Sequence, residues 1–471
     1  MIQTVRNAWK LPELRSKMLF VIFALLIFRL GSAIPVPFIN GDLLAGQLAS
    51  ASGTIFGLIN VMSGDAFAQA TVFALSIQPY INSSIIIQLL TVAIPALERL
   101  AKEGGEEGRK KIASITRYAT VIIALIQAFG YYTLIKSYGL IPIPEGYGFW
   151  GAVVIIASFT AGSAFLMWLG EQITEHGVGN GISVILFAGI VSRVPSGVQT
   201  LWYGGKAALG KPVPLGYNAI PVWAIPLILI VLLAIVVLIV YVSDAERRIP
   251  VQYAKRVVGR KMYGGQSTHI PMKVNMSGVM PVIFAQSIAS LPATIGMFCG
   301  WTKDSEGFGG GLMRLFDTTS VFYCVLYFLL IVGFSYFYST IQFNPIEVAN
   351  NLKKNGGFVP GFRPGKPTAD FITKVLSKIT MFGALYLAIV AIVPIIVTGA
   401  FGATALAIGG TSVIIVVGVA LETVKQLEAQ MLMRHYKLFS RSFLGGAGIG
   451  NNFVLGSVFG SLLSCKCRKN C

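Results

Sequence analysis

Charge is the first thing this sequence has little of. Only 12% of its 471 residues are Asp, Glu, Lys or Arg, roughly half the share usual in a soluble chain. That excludes an ordinary solvated globule of this length. Histidine is scarcer, with three residues. His176, His269 and His435 lie far apart in connecting stretches, whereas a metal centre needs ligands that converge. The glycine run "GVGNG" (177–181) has no strand before it and no Gly-Lys-Ser/Thr after it, so it reads as a turn and not a phosphate cradle. Cysteine numbers five. Cys299 and Cys324 fall at or in apolar runs and read as small buried residues. The other three crowd "CKCRKNC" at the C-terminus, close enough for zinc but without a fourth ligand. With no nucleotide-binding, hydrolytic or redox constellation, the chain does not read as an enzyme, no cofactor or metal is expected, and any energy source must come from a partner.

What is present is apolar: 55% hydrophobic residues and a mean hydropathy of +0.73. A bilayer core about 30 Å thick is crossed by around 20 residues of helix rising about 1.5 Å each. Ten apolar runs qualify or nearly do: 19–34, 73–94, 116–135, 150–169, 182–195, 222–242, 277–299, 319–341, 379–398 and 403–421. The fold class expected is an all-α polytopic membrane protein with ten transmembrane helices. No cleavable signal peptide precedes them; "MIQTVRNAWKLPELRSKMLF" reads as a basic amphipathic segment at the membrane surface, with Trp9 and Leu11 in the interface. With the N-terminus inside, 30 of the 37 lysines and arginines fall on inside segments. The charge bias therefore puts both termini in the cytoplasm, where the three C-terminal thiols would stay reduced. Apart from Arg29, Arg117 and Arg193 near span ends, the ten cores carry no Asp, Glu, Lys, Arg or His. Ion-coupled transporters generally need such groups as relays, which weighs against a small-solute secondary transporter.

The chain divides at the outside loop 196–221 into an N-terminal half (1–195) and a C-terminal half (222–437) of five spans each. Five is odd, so the halves run oppositely through the membrane, a plan that places the working path at their interface. Two inside loops are longer than connection requires. In 243–276 the alternation at Ile249, Val251 and Tyr253 predicts a short hairpin. In 342–378 a helix ends at Gly356-Gly357 before a Pro/Gly turn around Arg363. Such basic, shaped loops suit docking of a large partner, or at least of anionic phospholipids. Outside, 53–67 has helical spacing at Ile55, Leu58, Ile59 and Met62 but is broken by glycines, and reads as a small helix tucked back into the protein. The second run, "ALSIQPYINSSIIIQLL" (74–90), is too polar to face lipid on all sides. Its Ile77, Ile81, Ser84 and Gln88 share one helical stripe.

Six stretches carry a resemblance: "FALSIQPYINSSIIIQLL", "GEQITEHGVGNGIS", "AERRIPVQYAKR", "KVNMSGVMPVIFAQSI", "VPGFRPGKPT" and "GATALAIGGTSVIIVVGVALE". Over about residues 1–437 the chain resembles the SecY/Sec61 alpha family of protein-conducting channels. The resemblance implies two five-helix halves around an hourglass pore, translocating unfolded secretory polypeptides and releasing membrane segments sideways into the cytoplasmic membrane. It implies a pore ring of Ile77, Ile81, Ile190, Val279, Ile283 and Ile415, which a crossing chain could pass while ions are hindered. It implies a lateral gate between the second and seventh spans, with Gln78, Asn82, Ser83 and Gln88 facing Gln286, Ser287, Ser290 and Leu291, and signal sequences intercalating there. Segment 53–67 matches the family's plug, through Ile55, Phe56, Leu58, Ile59 and Met62. The inside loops match docking sites for the motor ATPase SecA and the ribosome: Arg247, Arg248, Lys255, Arg256 and Arg260, with Lys353, Lys354, Arg363 and Lys366. Small partner subunits SecE and SecG are implied as well. The tail 438–471 departs from the family pattern and reads as flexible or interfacial. Besides the channel and transporter readings, a scaffold that recruits ribosomes or an ATPase without conducting anything fits the basic loops.

Overall fold

The computed structural model of the chain describes residues 2–41, 43–44, 46, 60, 63–102, 104–137, 148–209, 221–253, 256–258, 261–263, 267–276, 278–298, 307–317, 320–401 and 410–445. Two compact units are distinguished, Ser16–Thr423 and a smaller one made of Met1–Arg15 with Val424–Cys471. In the smaller unit helix α1 (Ile2–Trp9) is held by the Thr4 hydroxyl, which donates to Glu428 Oε1 at 2.9 Å.

In chain order the next helices are α2 (Pro12–Gly31), α3 (Gln78–Ala93), α4 (Pro95–Lys102), α5 (Gly105–Ser137), α6 (Gly148–His176), α7 (Gly181–Val191) and α8 (Val194–Ala208). They are followed by α9 (Ala224–Asp244), α10 (Met280–Phe298), α11 (Phe308–Leu315), α12 (Val321–Gln342), α13 (Pro345–Lys354), α14 (Lys366–Phe401) and α15 (Gly410–Gly445). Each of the ten apolar runs meets one of these helices. Among the described residues six helices are long and apolar enough to cross a membrane, or seven if α3 and α4, bent by 105° at their junction, count as one. The chain is an all-α polytopic membrane protein apart from its two long loops, 243–276 and 342–378.

The second apolar run starts its helix later than the periodicity predicts. Residues 72–77 are turns, with Ser76 at φ +50, and α3 begins at Gln78 with Pro79 in its first turn. A proline ring clashes with the carbonyl four residues earlier, so it opens a helix readily and does not continue one. The turn leans on α6. Ser163 Oγ donates to the Ser76 carbonyl at 3.3 Å, and a Cβ on Gly162 would lie 2.0 Å from the Val72 carbonyl oxygen. Backbone meets backbone there, so neither side has a flexible tip to move. Gly162→Ala should lower the stability of the detergent-solubilised protein by about 1–3 kcal/mol, as overpacking does. Thermal unfolding followed by tryptophan fluorescence measures it; an unchanged midpoint would show that the turn yields freely.

The corner between α6 and α7 explains the "GEQITEHGVGNGIS" stretch. Thr174 Oγ1 accepts from the Gly181 amide at 2.9 Å, and Asn180 Oδ1 caps α7 by accepting from the Ile182 amide at 3.1 Å. A Cβ on Gly181 would overlap the Gly170 carbonyl at 1.9 Å. The glycines serve close helix approach, in keeping with the turn reading.

These long loops form sheet. β1 (Glu246–Tyr253) pairs antiparallel with β4 (Ser267–Lys273), and β2 (Arg256–Val258) with β3 (Lys261–Tyr263). The alternation at Ile249 and Val251 is the buried face, packed with Met272, Leu352, Val359 and Leu376. β5 (Gly357–Phe358) adds to the other edge of β1, with Gln252 opposite Phe358. This strand joins the two long loops into one body.

Candidate functional site

Within Ser16–Thr423 the apolar side chains form distinct clusters. One is drawn from residues between Val36 and Phe159, and another from Ile239 to Ile414. A further cluster mixes both parts of the chain, and it contains Ile77, Ile81, Ile190, Ile283 and Ile415, all buried, with Val279 packed against them. These residues come from the cap of α3, from α3 itself, from α7, from the turn before α10 and from α10 and α15. The fold brings together side chains that are hundreds of positions apart, and every one is aliphatic.

Beside this cluster lies the seam between α3 and α10. Helix α10 packs on α5 and α12, and more lightly on α3. The polar residues of the seam behave differently from one another. Ser83 does not reach across: it is fully buried and its hydroxyl donates to the Thr116 carbonyl of α5 at 2.9 Å. Ser290 Oγ donates to the Ser287 carbonyl on its own helix at 2.8 Å. Gln286 and Ser287 are buried, while Leu291 is 47% exposed. Asn82 Oδ1 is buried with no hydrogen-bond partner among the described residues. Gln88 does cross. Its Oε1 accepts from the Tyr338 hydroxyl of α12 at 3.3 Å, while its Nε2 donates to Ser84 Oγ, also at 3.3 Å. Gln78 is half-buried in the first turn of α3. Sequence reasoning missed Tyr338, which sits in "FSYFYSTIQF" among four other aromatics with nothing to single it out.

At the C-terminal ends of α2 and α7 the two span-end arginines meet one turn. Arg29 Nη1 donates to the Gly64 carbonyl at 3.4 Å, and Arg193 Nε lies 3.1 Å from Asp65 Oδ1. Asp65 also accepts from Asn60 Nδ2 at 2.9 Å, and Asn60 Oδ1 accepts from the Ala68 amide at 2.9 Å. Gly64, at φ +67, rests on α7 so closely that a Cβ would lie 3.0 Å from the Gly189 carbonyl. The sequence marked both arginines as exceptions, but no spacing tied them to Gly64 and Asp65.

Comparison with known proteins places this architecture. A sequence model of the SecY family matches residues 71–424. The protein translocase subunit SecY of Streptomyces coelicolor is 44% identical over 452 residues, covering 94% of this chain and 100% of the relative. The same subunit of Halalkalibacterium halodurans is 44% identical over 443 residues, covering 93% and 100%. The chain belongs to the SecY family. Among solved structures, one described as a protein-conducting channel superposes with a TM-score of 0.60 at 18% identity, covering 91% of this chain and 97% of that one. Sec61 in a canine ribosome-channel complex gives 0.55 at 16% identity, covering 91% and 97%.

The other residues that the SecY resemblance singles out lie as follows. Ile55, Phe56, Leu58, Ile59 and Met62 fall outside the described residues, as do Lys255 and Arg260; Arg256 lies in β2, with its side chain outside them. Arg247 and Arg248 are exposed on β1, where Arg248 pairs with Glu246 at 2.6 Å. Lys353 and Lys354 are exposed at the end of α13. Arg363 stands exposed between Gly361 (φ +87) and Gly365 (φ +108), its carbonyl accepting from Thr368 Oγ1 at 2.7 Å, with Lys366 exposed beside it. The two loops that carry these cations are joined through β5.

Proposed function

We propose that this chain is the channel-forming subunit of a protein translocase, conducting unfolded polypeptides across the cytoplasmic membrane and releasing apolar segments sideways into it. The observation that carries this reading is the meeting of the six aliphatic side chains Ile77, Ile81, Ile190, Val279, Ile283 and Ile415 in one apolar cluster drawn from both halves. A waist lined only by aliphatic side chains hinders ions by dewetting and offers a passing chain nothing to bind strongly. The segment 53–67 is the plug of the resting state; a solved relative is described as having a plug domain that stabilises its closed state and maintains the membrane seal.

The ten helices form two inverted halves hinged at 196–221, with both termini in the cytoplasm. Signal sequences enter between α3 and α10. The face bearing Arg247, Arg248, Lys353, Lys354, Arg363 and Lys366 docks SecA or the ribosome, since guanidinium and ammonium groups pair with rRNA phosphates or acidic protein surfaces. Ribosome binding is supported by the solved complexes of Sec61 and of yeast Ssh1, the latter bound to the 80S ribosome. SecE, SecG and anionic phospholipids complete the assembly.

A cysteine at Ile81, with the native cysteines replaced, tests the reading. It should crosslink to a cysteine in a stalled secretory chain only when SecA and ATP are supplied. No crosslink at Ile81 or at Ile283, despite bound motor and delivered substrate, would remove the ring and leave the scaffold reading.

A further inference from the structure

We propose that Tyr338 is the latch of the lateral gate, and that its hydroxyl sets how apolar a signal sequence must be to open it. The inference rests on the channel reading above and adds a residue on the eighth span to a gate otherwise ascribed to the second and seventh.

Three contacts make the argument. The Tyr338 hydroxyl donates to Gln88 Oε1, joining α12 to α3 across the boundary between the halves. The Gln88 amide is oriented for this by its own donation to Ser84 Oγ one turn earlier. The Tyr338 ring meets Phe284 of α10 edge-on, with centroids 5.3 Å apart at 76°. Phe284 meets Phe334, one turn before Tyr338, at 5.9 Å and 90°. Phe284 is thus clamped by two rings of α12, in the edge-to-face arrangement aromatic pairs favour. Helices α10 and α12 are coupled through this clamp, and Tyr338 presents their hydroxyl to α3. Opening the seam between α3 and α10 separates that hydroxyl from Gln88 while leaving the ring clamp intact.

The location suits a latch. Tyr338 is 9% exposed and belongs to the same cluster as the proposed ring, so the bond is part-buried while the seam is closed. Interhelical hydrogen bonds in membranes are weak on average, so an entering apolar helix competes with this one readily. A gate held by many such bonds would reject most signals, and one with none would stand open to marginal ones.

Tyr338→Phe removes the hydroxyl and keeps the ring. It should favour the open gate about threefold, equivalent to about 0.6 kcal/mol. Export of a substrate with a shortened, weakened signal core should rise by about that factor in proteoliposomes with SecA. Export with a strong signal should not change. Gln88→Leu should act in the same direction, and the double variant should be no stronger than either single one. A structural defect would instead lower export for both substrates. Equal export of the weak-signal substrate by wild type and Tyr338→Phe, or additive singles, would overturn the latch. A cysteine at the exposed Leu291 of α10 serves as the separate check on the gate itself. Failure of the signal helix to crosslink there in the otherwise native channel would overturn the gate reading, whereas crosslinking with an inert Tyr338→Phe overturns the latch alone.

Discussion

Replacing Ile81 and Ile283 together with serine should make the resting channel leak ions while leaving its stability nearly intact. The same pair of substitutions separates a pore waist from an ordinary core. In a core, truncating a buried isoleucine costs about 2–5 kcal/mol, and a hydroxyl left without a partner adds to that. At a waist the new hydroxyls gain water from the vestibules on either side, and the lost packing is shared by side chains that must part in any case. The expected loss is therefore below about 1.5 kcal/mol per site, a shift of a few degrees in a chain this long. Against it stands a gain in wetting. Two hydroxyls that hydrogen-bond a water file lower its cost by about 1–3 kcal/mol, which raises ion permeation about five- to 150-fold. Anion flux from loaded proteoliposomes without SecA reads this directly. A fall of about ten degrees in the unfolding midpoint with no added flux would return these isoleucines to core packing.

The comparison between sequence and structure is instructive at the same residues. Both Ile81 and Ile283 are buried among apolar neighbours, so periodicity alone cannot tell a ring from a core. Only motif position nominated them. The apolar runs were legible because a membrane imposes length and hydrophobicity on each helix, and the hairpin at Ile249 and Val251 because alternation survives in a sheet with one buried face. Where the helix of the second run begins was less legible, since the periodicity of "ALSIQPYINSS" does not register that Pro79 must sit in a first turn.

Side-chain direction was the least legible property. Ser83 and Gln88 are both polar and lie five positions apart on α3, yet Ser83 turns to α5 and Gln88 to α12. Five residues amount to 500° of helix rotation, so the two point to different neighbours, and which neighbours those are depends on packing that no local pattern encodes. Tyr338 was invisible for the same reason. Its ring belongs to an aromatic span that faces lipid on one side and Phe284 on the other.

The corner at Gly64 and Asp65 leads to the second large effect. Arg193→Gln should raise ion leak of the resting channel about fivefold, and Arg29→Gln with it should raise leak further. Arg193 and Asp65 are 21% and 37% exposed, so solvent screens their attraction and their pair is worth about 1 kcal/mol, a factor of about five. The bond from Arg29 to the Gly64 carbonyl is charge-assisted and holds the adjacent residue from the other side. Together they fix a turn whose backbone is already unusual. Asp65 stands at φ +73, where Asp and Asn are tolerated better than most residues. Because this turn closes the end of the proposed plug segment, 53–67, loosening it favours displacement of the plug. Asp65→Asn keeps both the backbone preference and an oxygen for Asn60, and removes only the charge. It should therefore match Arg193→Gln in leak, and the double variant should be no leakier than either, since both remove one interaction. Additive leak, or a leaky Arg193→Gln beside a tight Asp65→Asn, would assign Arg193 a role outside this pair. The single arginine variant should also lose its difference from wild type in about 1 M salt, where the Debye length falls to about 3 Å and the native pair is itself screened.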